Sequence, residues 1–88
     1  MIDKDDEALT NRFGSISEVA LGSVVWANAR GFWRRSRVIR KGRTRVTVRY
    51  FIQDGATLRD SLSCLAQLRR HEPDSRYRIS TPAPELGR

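Results

Sequence analysis

Cysteine occurs once, at Cys64. A lone cysteine rules out an internal disulfide framework and agrees with a reducing compartment. Histidine also occurs once, at His71, so no plausible set of zinc ligands exists. No run of about 18 apolar residues is present, and nothing in the sequence reads as a membrane-spanning helix. The opening MIDKDDEALT is acidic and has no apolar stretch, so it does not read as a secretory signal. Glycine-rich phosphate loops and His/Ser or His/Cys pairings are missing as well. Asp54 and Asp60 are too little for acid–base chemistry and both fit turns. Cys64, set among leucines with no base nearby, reads as a small core or boundary residue. The expectation is a protein without catalytic residues, metal or cofactor.

One further absence is local. Positions 19 to 53 hold no acidic residue but nine basic ones: Arg30, Arg34, Arg35, Arg37, Arg40, Lys41, Arg43, Arg45 and Arg49. The stretch alone carries nine positive charges and no negative one, more than the chain's formal net charge of +7. A focused positive field draws in polyanions. The first 18 residues instead carry Asp3, Asp5, Asp6, Glu7 and Glu18 against Lys4 and Arg12.

What is present reads as one small domain. Residues 1–16 form an acidic arm expected to be mobile, and 17–70 the folded unit. Residues 71–88, with Pro73, Pro82, Pro84 and Gly87, read as an extended or disordered tail with a short extended piece near 77–79. Within 17–70 the period is two. Residues 23–27 are an apolar strand and 34–40 a second one. Residues 43–51 alternate clearly, with Val46, Val48 and Tyr50 on one face and Arg45, Thr47, Arg49 and Phe51 on the other. Lys41-Gly42 and Asp54-Gly55 are turn signals, the first a place where glycine can take positive φ. Residues 56–59 suggest a short fourth strand. Leu58, Leu62, Leu65 and Leu68 fit a helix face, or equally a strand, a helical turn and a last strand. Short strands with tight turns point to a small barrel, whose closure removes exposed sheet edges.

The segment GSVVWANARGFWRRSRV, residues 22–38, places Trp26, Phe32 and Trp33 among arginines, as a binding surface would. Phe32 and Trp33 follow a glycine and read as loop residues, where large rings favour binding over core. Trp26 reads as a core anchor. Tyr50 reads equally as core or as binding surface.

Gly22-Ser-Val-Val-Trp-Ala27, Arg30-Gly31-Phe32, Trp33 and Val38 together resemble the opening of PWWP domains, and Val48-Arg49-Tyr50-Phe51 resembles that family's third strand. The related Tudor module fits as well. The resemblance implies an all-β, five-stranded SH3-like barrel acting as a non-catalytic chromatin reader. It also implies an aromatic cage for methylated lysine or arginine beside a basic patch for DNA. Its cage positions fall on Ala29, which offers no ring, on Phe32 and Trp33, and on Tyr50; Asp54 reads first as a turn former and second as a polar cage wall. The family's two prolines are absent and one residue is missing after Phe32. Counting back from Val38 therefore puts Arg34 at the second-strand ring position and Trp33 one residue early. A one-residue slip turns a strand side chain to the other face, so the sequence leaves open whether Trp33 lines the cage or packs elsewhere.

Arg34, Arg35, Arg37, Arg40, Lys41, Arg43, Arg45 and Arg49 are the candidate phosphate contacts on DNA or RNA. About five contacts would give log K a slope near −4 to −5 in log salt. Candidate cage residues are Phe32, Trp33, Tyr50 and Asp54, for a methylated histone tail or another peptide. A different reading is a protein-interaction or assembly module using an exposed strand and the acidic arm. Location is expected to be intracellular, and nuclear in a eukaryote.

Overall fold

Alternation in the sequence becomes inside and outside in the sheet. The computed structural model describes residues 11–52 and 56–85. It contains β1 (Val24–Ala29), β2 (Phe32–Lys41), β3 (Arg45–Phe51), β4 (Leu58–Cys64), β5 (Leu68–Arg69) and β6 (Arg78–Ile79). Short 3₁₀ turns lie at Ile16–Glu18 and Leu65–Gln67. The strands form one mostly antiparallel sheet in the order β4-β3-β2-β1-β5, with β6 alongside β2.

The inner face carries Val25, Ala27 and Ala29 from β1 with Val38 from β2. Val46, Val48 and Tyr50 from β3 and Leu68 from β5 complete it. All are buried. Phe13 and Val19 join this core from upstream of the sheet. The packed segment therefore begins before residue 17, the boundary expected from the composition. Asn11 anchors it: its side chain donates to the His71 carbonyl and accepts from the His71 amide. The Arg70 guanidinium meets Glu18 and lies 4.4 Å from the Phe13 ring centroid.

The tightest turn is not where the sequence pointed. Ala29 pairs with Phe32, and the two residues between them, Arg30 at φ 55° and Gly31 at φ 83°, both have positive φ. Two positive values in a two-residue loop match a type I′ hairpin, whose twist suits the flanking strands. Phe32 and Trp33 are thus the first residues of β2, not loop residues. Gly42 is not among the positive-φ positions. The β2–β3 connection is wider and closes through the Gly42 amide on the Arg45 carbonyl, 2.8 Å. A register shift at Ile39, between the Val38–Val48 and Arg40–Thr47 pairs, bulges β2 just before that connection.

The leucine-rich stretch resolves as strand, 3₁₀ turn and strand, with the fourth strand running to Cys64 rather than ending near residue 59. β4 and β5 sit at opposite ends of the strand order although only that turn separates them. The sheet is therefore open, where a closed barrel was expected; β5 has two residues and pairs only with Trp26 and Ala27 of β1. The tail lies against β2: β6 runs parallel to it at Trp33 and Arg34, and the Trp33 amide donates to the Tyr77 carbonyl at 2.7 Å. Among the described residues no helix is long and apolar enough to cross a membrane. Asp54, the 54–55 turn and most of the acidic arm lie outside the described residues.

Arg30 is a side chain in a left-handed position, which Asn adopts at lower cost. Arg30→Asn is expected to raise stability by up to about 1 kcal/mol and Gly31→Ala to lower it by about 1–2 kcal/mol. Denaturant midpoints of the two variants measure both.

Candidate nucleic-acid interface and an interior cation

The three rings expected to converge do not. Phe32, Arg34, Ser36 and Val38 share one parity of β2, and Arg34, Ser36 and Val38 are buried. Trp33 has the opposite parity and points to the outer face. Tyr50 is on the inner face of β3, 2% exposed. Phe32 and Tyr50 thus both face Arg34 at one end of the interior.

Arg34 is 4% exposed, so its assignment as a phosphate contact does not hold. Its guanidinium carbon is 5.7 Å from the Phe32 ring centroid and 5.0 Å from that of Tyr50. Nε donates to the Ala29 carbonyl at 2.8 Å. Nη1 is buried and has no hydrogen-bond partner among the described residues. Room for the side chain comes from β1: the strand partner of Arg34 is Ala27, and that of Phe32 is Ala29, both too small to fill the space. Desolvation lowers the Arg34 pKa, opposed by Tyr50 and aided by the nearby charge of Arg30. A guanidinium remains charged through such a shift. It is held by ring quadrupoles and one carbonyl rather than by a carboxylate.

The outer face repeats the pairing. Arg35 lies 5.1 Å from the Trp26 ring centroid and Arg69 4.7 Å from that of Trp33. Arg35 and Arg69 are also the strand partners of Trp26 on either side of β1. Desolvation lowers the Arg69 pKa as well. Trp26 is buried, as expected of a core anchor, but on the outer face, outside the inner core cluster. Tyr77, from the tail, meets Phe32 edge-on at 6.3 Å between centroids and carries Arg76 at 5.1 Å.

Several of the remaining candidate cations are also engaged. Arg37 donates from Nε to the Pro84 carbonyl at 2.8 Å and from Nη1 to the Gly22 carbonyl at 2.9 Å, fastening the tail. Arg49 forms a two-pronged ion pair with Asp60, 2.7 and 3.1 Å. This pair raises the Arg49 pKa and lowers that of Asp60, chiefly through the shared hydrogen bonds. A lowered carboxylate pKa contributes stability above the ordinary carboxylate range, lost as the pH falls through the lowered one. The pair is largely exposed, so its contribution is at most about 1 kcal/mol.

Four of the eight candidates remain on the surface with no side-chain hydrogen bond, ion pair or ring contact among the described residues: Arg40, Lys41, Arg43 and Arg45, of which Arg40 lies close enough to Asp60 to help lower its pKa. All four are exposed and all belong to the β2–β3 connection and its flanks. The charge run between acids is the signal that marks them. What the sequence does not disclose is which arginines the rings and the tail occupy.

No family model, no curated protein and no solved structure matches this chain.

An apolar side chain of similar length suits the Arg34 site, because replacing a buried charge by a hydrophobe is commonly neutral or stabilising. Arg34→Met should leave stability within about 1 kcal/mol of the parent. Arg34→Ala, which leaves a cavity, should lose about 2–4 kcal/mol. Chemical denaturation distinguishes the two. With Arg34 in place, titration with trimethyl-lysine and unmethylated histone peptides should leave the Phe32 and Tyr50 ring resonances equally unshifted.

Proposed function

We propose that this chain is a non-catalytic nucleic-acid-binding module, built on a sheet of the SH3-like Tudor/PWWP type, that grips phosphates with its β2–β3 hairpin. The observation that carries the reading is the cluster of Arg40, Lys41, Arg43 and Arg45, exposed together at one hairpin. No acidic residue lies between positions 19 and 53, and Asp60, whose charge reaches Arg40, is already paired with Arg49. The strand order, with the last core strand returning to the first, supports the architectural part. So does the 3₁₀ turn between β4 and β5.

Recognition of a methylated side chain is not part of the proposal. The space between Phe32 and Tyr50 already holds a cation of the chain's own. Assembly through strand addition is disfavoured too. Of the two end strands among the described residues, β5 is only two residues long, and β4 bears exposed Arg59 and Asp60, where charged side chains at an edge oppose pairing.

Fluorescence anisotropy of the full chain with a labelled oligonucleotide tests the reading. Four phosphate contacts give log K a slope of about −3.6 in log salt. Replacing Lys41 and Arg43 by Glu together should weaken binding about tenfold or more across all sequences, since phosphate contacts position rather than specify. Absence of binding at low salt, or binding indifferent to salt, contradicts it.

A further inference from the structure

Buried hydrogen-bond donors almost always have acceptors, and an orphaned donor on a charged group is the costliest exception. Arg34 is such an exception. The residue is 4% exposed, and its buried Nη1 has no partner among the described residues. Nε already donates to the Ala29 carbonyl. Rings attract a guanidinium through their faces, whereas its N–H groups each need an acceptor atom. Phe32 and Tyr50 therefore leave the Nη1 requirement unmet. Among the described residues the ion pairs engage Arg49, Arg70 and Arg78, not Arg34. Arg30 adds a second positive charge nearby, which helps to lower the Arg34 pKa. An anion at this point satisfies the donor and relieves the repulsion between the two like charges.

We infer that this end of the domain is a second binding site, which takes one carboxylate of an acidic peptide on the Arg34 guanidinium beside Phe32 and Tyr50. A carboxylate is flat and matches the planar fork of a guanidinium. In Asp or Glu it arrives on a slim stem, which can enter past Phe32, the half-buried member of the trio. Tyr77 of the tail meets Phe32 edge-on and so borders that entry. A nucleic-acid phosphate is tetrahedral and joined to a sugar on two sides, too bulky for so enclosed a donor. The exposed cations of the hairpin lie elsewhere: from Arg34 to Lys41 the strand β2 covers about 23 Å. A peptide at Arg34 leaves the hairpin free, and the inference stands apart from the nucleic-acid reading.

The test is NMR titration of the full chain with a decapeptide holding a single Glu among Gly and Ser, and with its Gln twin. Inorganic phosphate at matched ionic strength is the third arm. The Glu peptide should shift the Arg34 Nε–H signal and the Phe32 and Tyr50 ring resonances saturably, and the Gln twin should leave them in place. Phosphate should shift only the amides of residues 40–45. Arg34→Met should abolish the response to the Glu peptide, and Arg30→Asn should weaken it about threefold by removing the second charge. Equal responses to the Glu and Gln peptides, shifts confined to residues 40–45, or an undiminished response in Arg34→Met would overturn the inference. So would a phosphate shift at Arg34 matching that of the Glu peptide. None of these outcomes bears on binding at the hairpin. If Arg34→Met fails to fold, the comparison of Glu with Gln on the parent chain decides.

Discussion

Guanidinium groups lying on aromatic rings organise this small protein. A sheet with so few large apolar residues has little to bury, and its two tryptophans and its inner tyrosine need covering on at least one side. Arginine supplies that cover with its flat, weakly hydrated head and apolar stem. Each such contact is worth about 0.5–2 kcal/mol, more when water is excluded. The most enclosed of them is Arg34 between Phe32 and Tyr50. It stands where a hydrophobe would ordinarily fill the core, and it exists because Ala27 and Ala29 across the strand leave the volume empty.

This pairing sets the engaged basic residues apart from those exposed at the β2–β3 connection. Arg34, Arg35, Arg69, Arg70 and Arg76 cover rings, while Arg37 fastens the tail and Arg49 holds Asp60. Arg40, Lys41, Arg43 and Arg45 are left to meet solvent or a polyanion. The aromatic and basic interleaving in residues 22–38 therefore describes how the domain is held together. The proposed binding surface begins where that interleaving stops.

Much of the fold can be read from parity. Val46, Val48 and Tyr50 alternate with polar residues and face inward as their spacing implies, and the valines and alanines of β1 follow the same rule. Parity fails at Arg34, because hydropathy patterns assign an arginine to the surface and carry no information on the size of its strand partner. Phe32 and Trp33 read as loop residues because the turn before them is only two residues long, with Arg30 in a conformation usually taken by Asn or Gly. The tail's attachment is hidden for another reason. It rests on the Tyr77 carbonyl accepting from the Trp33 amide and the Pro84 carbonyl accepting from the Arg37 side chain, and no side-chain pattern records which carbonyls accept. Trp33 lies on the outer face because it alternates with buried Arg34 along β2, a consequence open to the sequence only once it is known to stand in a strand.

The most direct measurement is the solution state of the Arg34 side chain by NMR. The account predicts nuclear Overhauser contacts from its δ-methylene to the rings of both Phe32 and Tyr50. It also predicts ring-current-shifted resonances and an Nε proton that exchanges slowly while bonded to the Ala29 carbonyl. A freely rotating Arg34 with averaged shifts and rapid Nε exchange would contradict it, leaving the space between the two rings open to an external cation.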